Sequence, residues 1–409
     1  MNRLLGNLGL LAAGIAFSLL LAEAGLRLAG YNPSFVVPDR TIGSLWRPGA
    51  PYRWTTEGFS QGRINAAGWR DRDYAEKKPP GTMRILFCGD SYVAGLEVPL
   101  DSTFHKRLER ALDAKAPAGR HVEVIGLGRG GLGTTQEYLA YRKWGRRYDP
   151  DVVAVLFVLN DWGDNWAPMW QGLQRPYFVE AGDTLKLDTS FVDSPTFRST
   201  ERSAPWKTAS SLVTLAAQFR GQMRARFHPD SAEAGLTGDT GWYGVWNFNA
   251  SPPADSIPAF HLTVRILERF AREVEGEGRR FVVFVSGAAE IEARELLAQR
   301  AHDPTFDRDK AERFLVAAGA RAGFEVVPLS PDFRAASAAG LDLWNHHGTR
   351  NYGHWNSAGH AVAAAAMRRY FESRLPALGA SLPGTGSPLA TGPARSLPTA
   401  PERPRPVSR

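Results

Sequence analysis

The chain has 409 residues, of which 43% are hydrophobic, and a formal net charge of +7. This length allows two or three structural units and a large core. The Lys and Arg residues are scattered rather than gathered into one stripe, which argues against nucleic-acid binding. Cys88 is the only cysteine, so an internal disulfide and a cysteine metal cluster are excluded.

Residues 1–30 form the first predicted element. Residues 4–22 carry no charge, follow Arg3 and are long enough to cross a bilayer as a helix. The tripeptide Ala22-Glu23-Ala24 also fits a signal cleavage site, so a retained single-pass anchor and a cleaved signal sequence are both open. Both interpretations place the rest of the chain outside the cytoplasm, on the periplasmic side of the membrane. We favour the anchor, because apolar residues continue to Ala29.

Residues 31–80 are rich in Pro, Gly and Arg but also contain several Trp and Tyr residues. So many aromatic side chains are unusual for a free linker. The sequence therefore predicts an arm packed against a main domain that covers residues 81–376.

The main domain begins with an apolar run from Arg84 to Cys88 that stops at Gly89-Asp90-Ser91. Such a run predicts a strand buried on both faces, with a helix to follow near residues 102–114. Open α/β sheets bind their ligands at the carboxyl ends of the strands, so Ser91 is a candidate nucleophile. An ordinary turn uses the same residue types, and the tripeptide alone does not separate the two.

The next predicted strand, residues 122–125, leads into a glycine-dense loop over residues 126–133. Its glycines match the G-x-G-x-x-G pattern formally. A dinucleotide site also needs an acidic residue after the following strand, whereas Asp149 and Asp151 precede that strand. No cofactor is therefore predicted, and the glycines are interpreted as exposing backbone N–H groups.

The third predicted strand, residues 152–159, ends at Asn160. Because βαβ crossovers preserve strand direction, the ends of all three strands should lie at one edge of a parallel sheet. We therefore expect Ser91, the glycine loop and the Asn160 amide to lie close together.

Residues 162–258 interrupt the α/β pattern and contain six of the twelve tryptophans. This aromatic-rich insertion is interpreted either as a lid or substrate wall over the sheet edge or as irregular packing. Helices and strands then alternate again. Residues 377–409 lack aromatic residues and isoleucine and are predicted to be disordered.

His354 lies on the loop before the last predicted helix, for which Ser357 is the expected N-cap. A serine hydroxyl is a poor nucleophile until a neighbouring group takes its proton, so His354 is the candidate base. A zinc site formed by the four nearby histidines is the alternative, but their spacing matches no ligand motif. No metal is predicted. The histidines concerned are His346, His347, His354 and His360.

Four segments, in order, resemble the conserved blocks of the SGNH/GDSL hydrolase superfamily, in particular its membrane-anchored bacterial branch. They are Gly89-Asp90-Ser91, Gly131-Leu132-Gly133-Thr134, Asn160-Asp161 and His354-Trp355-Asn356. The resemblance implies an α/β fold: a three-layer α/β/α sandwich with a mainly parallel five-stranded sheet, flavodoxin-like in type. It implies Ser91 as nucleophile, His354 as base, and an oxyanion hole formed by the N–H groups of Ser91 and Gly131 and by the Asn160 side chain.

The chain departs from that family at one position of the catalytic triad. The family has an aspartate two or three residues before the histidine, where this sequence has Tyr352 and Asn351. Without an acid, the imidazole loses the partner that orients it and stabilises its charged form. Three outcomes are open: another carboxylate, with Asp342 the nearest upstream, a Ser-His dyad held by a backbone carbonyl, or a weakened enzyme.

The sequence therefore predicts a serine esterase that forms an acyl-enzyme on Ser91, with O-acetyl groups of a cell-envelope polysaccharide as one candidate substrate. An O-acyltransferase on the same site and a non-catalytic carbohydrate-binding protein on the same scaffold are the alternatives. The expected partners are an acylated small molecule or polysaccharide and, through the N-terminal helix, the membrane.

Overall fold

The computed structural model describes residues 2–170, 174–227, 247–251, 253–286, 304–345 and 353–374. The helices in these residues are α1 Asn2–Leu28, α2 Ser91–Ala94, α3 Phe104–Asp113, α4 Thr134–Lys143, α5 Asp161–Asp164, α6 Pro195–Ala209, α7 Ser211–Phe227, α8 Pro258–Gly276, α9 Lys310–Ala322, α10 Ser330–Ala338 and α11 Ser357–Arg374. The strands are β1 Val36–Asp39, β2 Gly43–Trp46, β3 Pro51–Trp54, β4 Ser60–Arg63, β5 Thr82–Gly89, β6 His121–Gly128, β7 Val152–Phe157, β8 Tyr177–Ala181, β9 Thr184–Asp188, β10 Arg280–Val285 and β11 Glu325–Pro328. The predicted disordered tail lies outside the described residues.

A five-stranded parallel sheet in the order β11-β10-β7-β5-β6 forms the centre of the main domain. Every residue of β5 is buried, because side chains alternate between two hydrophobic cores on opposite faces. Leu86 and Cys88 pack in the core with α4, α8 and α9, and Ile85 and Phe87 pack in the core with α3, α10 and α11. The predicted α/β sandwich is therefore confirmed.

The strand order reverses between β5 and β7. The chain passes from β5 to β6 on one side and then returns to β7 on the other side of β5. Ligands of open α/β sheets bind in the crevice at such a reversal. Ser91 follows β5 and Asn160 follows β7, so both lie at this position.

The arm forms two small antiparallel hairpins, β1–β2 and β3–β4. Its Arg70 is buried and donates hydrogen bonds to the carbonyl oxygens of Ala94 (2.8 Å), Gly95 (2.5 Å) and Val98 (2.5 Å). These acceptors lie at the end of α2 and in the loop that follows it. The arm is therefore bonded to the segment next to Ser91.

The insertion supplies the β8–β9 hairpin and the helices α6 and α7. Trp162 at its start is fully buried and stacks on Phe260 with ring centroids 4.1 Å apart, so this tryptophan is part of the core. Trp206 on α6 is 71% exposed. The segment Arg3–Leu28 of α1 is long and apolar enough to cross a membrane, by length and composition.

Candidate active site

Ser91 is the first residue of the short helix α2, directly after the strand β5. The side chain of Asp90 caps this helix by accepting a hydrogen bond from the Tyr92 N–H (2.9 Å). The helix ends at Gly95, which has a left-handed conformation. The capped turn fixes the serine at the carboxyl edge of the central strand.

His354 is held by backbone pairing between two segments near the end of the main domain. Its carbonyl oxygen accepts a hydrogen bond from the Asn345 N–H (2.8 Å), beside an antiparallel bridge between Trp344 and Trp355. The Asn356 side chain accepts hydrogen bonds from two N–H groups in the first turn of α11. Asn356, rather than the predicted Ser357, therefore caps this helix.

The structure brings Ser91 and His354 together, although they are 263 residues apart in the chain. The Ser91 hydroxyl oxygen lies 2.8 Å from Nε2 of His354. This is the hydrogen-bonding distance that a serine nucleophile needs for proton transfer to a base.

Glu57 contacts the other side of the same histidine. Its Oε1 is hydrogen-bonded to Nδ1 of His354, and its Oε2 accepts a hydrogen bond from the His354 backbone N–H (2.8 Å). Glu57 lies between β3 and β4 of the arm and its side chain is 8% exposed. The arm therefore supplies a buried carboxylate in the position of a triad acid.

Glu57 is not among the sequence-based candidates for the acid. Asn351 and Tyr352 lie outside the described residues. The Asp342 carboxylate accepts a hydrogen bond from the Trp344 N–H (3.4 Å), whereas Glu57 is the group bonded to Nδ1. Glu57 was missed because it precedes the histidine by 297 residues. The available signal was that it is the sole acidic residue between Asp39 and Asp71.

A second carboxylate, Glu97, lies beside the first. Its Oε1 is 3.4 Å from Nδ1 of His354, and its side chain is 3% exposed. The hairpin holds this residue as well, since the Phe59 N–H donates to the Glu97 carbonyl oxygen (3.1 Å). Burial raises the pKa of Glu97 to about 7, so it is part protonated at neutral pH.

The two carboxylates also change the charge of the imidazole. Burial by itself would lower the pKa of His354, but the Glu57 hydrogen bond and the charges of Glu97, Glu57 and Asp90 raise it to about 9. The imidazolium is therefore the main form at neutral pH. The neutral form, which can accept the serine proton, increases as the pH rises toward 9.

Backbone N–H groups of Ser91 and Gly131 are available as oxyanion donors. Within the described part of the chain neither N–H has a hydrogen-bond acceptor. Gly131 has φ +78°, a conformation that suits glycine, and a Cβ added to Gly130 would lie 3.6 Å from Cβ of Ser91. The glycine loop therefore lies directly beside Ser91.

The Asn160 amide has partners of its own. Its Nδ2 donates to Asp164 Oδ2 (2.8 Å) and to Asp90 Oδ2 (3.2 Å). Both of its hydrogens thus point at carboxyl groups. Asn160 can serve as a third donor when one of these two hydrogen bonds, such as the longer one to Asp90, is replaced by a hydrogen bond to the substrate oxygen.

Three more acidic residues are buried behind Asn160. Burial, together with the neighbouring carboxylates, raises the pKa values of Glu137 and Asp161 well above their ordinary range. Burial also raises the pKa of Asp164, although its ion pair with Arg175 (3.0 Å) opposes the increase. Of these three, Asp164 is the residue that holds the Asn160 side chain, through the hydrogen bond from Nδ2.

The sequence argues against a zinc site at the four histidines, and the structure describes two of them, His354 and His360. His360 is buried and its Nδ1 accepts a hydrogen bond from the Phe104 N–H (3.2 Å). His346 and His347 lie outside the described residues. Among the described residues, one group of side chains has ligand atoms close enough to hold a cation. It consists of Glu57, Glu97 and His354, whose ligand atoms lie within 4.8 Å of one another. These are the acid–base groups already described.

No protein-family model matches the chain, and no curated protein matches its sequence. Among solved structures, an acetyl xylan esterase, AlAXEase, is 15% identical with a TM-score of 0.37, over 70% of this chain and 99% of that one. Axe2, an acetylxylan esterase from Geobacillus stearothermophilus, is 11% identical with a TM-score of 0.36, over 73% and 95%. A lipase/acylhydrolase from Enterococcus faecalis is 14% identical with a TM-score of 0.34, over 71% and 96%. The chemistry of the site is inferred below from its own side chains.

Proposed function

We propose that the protein is a serine esterase of the SGNH type, acting on O-acyl groups through an acyl-enzyme on Ser91. The observation that supports this most is the chain of contacts from the Ser91 hydroxyl through His354 to the Glu57 carboxylate. A non-catalytic carbohydrate-binding protein is the alternative, suggested by the acid missing from the sequence motif and by the tryptophan-rich insertion. With Glu57 at Nδ1, the first of these two reasons no longer applies.

The roles of the residues follow from the geometry. His354 Nε2 takes the hydroxyl proton as Ser91 Oγ attacks the ester carbonyl carbon, and Glu57 stabilises the imidazolium that forms. The N–H groups of Ser91 and Gly131, with Asn160 as the third donor, bind the oxyanion. The imidazolium then protonates the leaving alcohol, and an acyl-enzyme remains on Ser91.

Deacylation requires a hydroxyl group that His354 can deprotonate. If water attacks the acyl-enzyme, the products are a carboxylic acid and free Ser91. If a sugar hydroxyl attacks, the acyl group is transferred instead. We propose hydrolysis rather than transfer, because the His354 side chain is 29% exposed and water can reach it. O-acetyl groups of a cell-envelope polysaccharide are the substrate proposed from the sequence resemblance.

The test is hydrolysis of p-nitrophenyl acetate by the full chain in detergent. Ser91→Ala and His354→Ala should each lose at least about 10³-fold in kcat/KM. Matched controls are Ser203→Ala and His121→Ala, which change a serine and an exposed histidine outside the site. Equal rates in all variants, with no labelling of Ser91 by a fluorophosphonate, would overturn the proposal.

We also propose that α1 is a retained anchor and that the catalytic domain lies on the periplasmic side. The Glu23 carboxylate accepts hydrogen bonds from the N–H groups of Ser211 (3.0 Å) and Leu212 (3.0 Å) at the start of α7. Arg27 donates to the Ala209 carbonyl oxygen (2.7 Å). Cleavage after Ala24 would remove Glu23 and expose these N–H groups. The end of α1 thus belongs to the folded structure.

Mass spectrometry of the protein from a membrane fraction tests this arrangement. We expect the intact N-terminus, and we expect protease added to spheroplasts to digest the catalytic domain. A mature chain that begins at Gly25 would contradict the anchor. A domain protected in spheroplasts and digested only after lysis would contradict the orientation.

A further inference from the structure

A cavity of about 550 Å³ lies next to the proposed active site. Its walls come from three parts of the chain: the β1–β2 hairpin of the arm, the glycine loop from Arg129 to Leu132, and the insertion. Gly130 is part of its lining and lies beside Ser91, as the position of its missing Cβ indicates. A molecule with its ester at Ser91 can therefore extend into this cavity.

Two guanidinium groups line the cavity, and they differ in their partners. Arg175 pairs with Asp164 and also donates to the Gly131 carbonyl oxygen (2.7 Å) and to the Tyr177 hydroxyl (2.9 Å). Arg129 donates one hydrogen bond, to the carbonyl oxygen of its neighbour Gly130 (3.1 Å). Among the described residues no carboxylate pairs with Arg129, and its Nε is shielded from solvent without an acceptor.

Arg129 is partly exposed, but its Nε is shielded from water and has no acceptor among the described residues, and a shielded donor on a cation is unfavourable until an acceptor replaces its lost hydration. Burial and the nearby Arg175 lower the pKa of Arg129 to about 10, so the group is still charged at neutral pH. The planar guanidinium fork matches the oxygens of a carboxylate or a phosphate. The unmet donors of Arg129 therefore suit an anionic ligand group.

We propose that Arg129 binds an anionic group on the acylated substrate, a sugar carboxylate or phosphate, while the ester lies at Ser91. This inference rests on the proposed esterase function and defines its substrate class: an O-acylated acidic saccharide rather than a neutral one. The cavity lining also has an apolar part, which includes Val37, Ile42 and Phe197 and would face the sugar or its linker.

The experiment uses the full chain in detergent and three O-acetylated methyl galactosides. The first carries a carboxylate at C6, the second carries the methyl ester of that carboxylate, and the third carries a phosphate at C6. Acetate release gives kcat/KM for each. We expect kcat/KM for at least one of the two anionic sugars to exceed that for the methyl ester by about tenfold or more. The sugar that shows this preference identifies the carboxylate or the phosphate as the ligand.

In Arg129→Gln the ratio of kcat/KM for the anionic sugar to that for the methyl ester should fall toward 1. In Arg129→Lys this preference should be partly retained because the charge remains. The control is Arg120→Gln, an exposed arginine at the opposite end of the sheet, which loses the same charge and should keep the preference. Thermal melting separates a folding defect from loss of binding. A preference near 1 in the native chain, or an equal preference in Arg129→Gln, overturns the proposal.

A second measurement separates this proposal from the esterase proposal. Fluorophosphonate labelling of Ser91 reports the activated serine whatever the sugar substrate. Galacturonate or inorganic phosphate should slow labelling of the native chain several-fold and have no such effect on Arg129→Gln. Labelling without protection by either anion refutes the anion site alone, whereas absence of labelling refutes the esterase.

Discussion

His354 and His360 are six residues apart, but their surroundings give them opposite properties. His354 lies beside Glu57 and Glu97, which raise its pKa to about 9 against the effect of burial. His360 stacks on the Phe104 ring in the core, where burial and the positive charges of Arg70, Arg107 and His354 lower its pKa to about 3. One imidazole is positioned to exchange protons with a serine, and the other stays neutral and structural. The partner groups, and not the local sequence, make this difference.

The largest expected effects come from replacing each histidine with alanine, which should separate the catalytic role of His354 from the structural role of His360. His354→Ala should lower kcat/KM by at least about 10³-fold in a chain that still folds, although some stability at neutral pH is lost because the buried Glu57 and Glu97 no longer face a cation. His360→Ala should lower the free energy of unfolding by about 2 to 4 kcal/mol, since it leaves a cavity and an unpaired Phe104 N–H. Rate assays and urea denaturation check both. Loss of activity in a stably folded His360→Ala alone would contradict the assignment.

Removing the charge from Glu57 should make His354 a much poorer base. Glu57→Gln should reduce turnover by between about 10² and 10⁴, because the amide favours the wrong imidazole tautomer and does not stabilise the cation. The matched control is Glu201→Gln, whose carboxylate pairs with Arg40 on the surface. Steady-state rates of ester hydrolysis measure the effect. An unchanged rate would mean that Glu57 is not the acid.

Gly353→Ala tests the same contact without changing any charged group. A Cβ at this position would overlap the Glu57 carboxylate and would also lie 2.6 Å from the Asn345 carbonyl oxygen. We expect kcat/KM to fall by about 10-fold to 100-fold, because displacement of a catalytic group by about 1 Å has effects of this size. Gly221→Ala, where an added Cβ meets nothing within 4 Å, is the control. Equal activity in the two variants would show that the contact tolerates displacement.

The smallest effect concerns pH. Activity needs the neutral imidazole, so kcat/KM should rise with pH through the His354 pKa of about 9. Glu97→Gln removes a negative charge that favours the imidazolium, and the rising limb should move to lower pH by about one unit. Below about pH 7 native Glu97 is itself protonated, so the two profiles should converge there. Acetate release from pH 6 to 10 measures this, and a shift to higher pH would contradict it.

The candidate site could be predicted in part because three of its groups follow predicted strands. Ser91, Gly131 and Asn160 come after apolar runs, and parallel strands bring their carboxyl ends to one edge. The contacts of Asn160 with Asp90 and Asp164 could not be predicted. They depend on distances between side chains of separate loops, for which the sequence has no periodic signal.

The insertion illustrates the same limit. Its tryptophans fit either a lid or packing, and composition alone did not distinguish these. In the structure Trp162 is a core residue stacked on Phe260, whereas Trp206 is largely exposed. The two environments differ because α8 covers the first tryptophan, and that contact exists only in the folded chain.

By itself, the sequence determined the alternation of buried strands and amphipathic helices, the parallel sheet and the approximate position of Ser91 and His354. These follow from short-range patterns of apolar residues and from the constant direction of βαβ units. The tertiary structure decided which carboxylates meet His354 and which arginine, among the residues described, lines the adjacent cavity without a carboxylate partner. Charge pairing acts over a few ångströms in space, so Glu57 and Arg129 acquire their importance only when distant segments pack together.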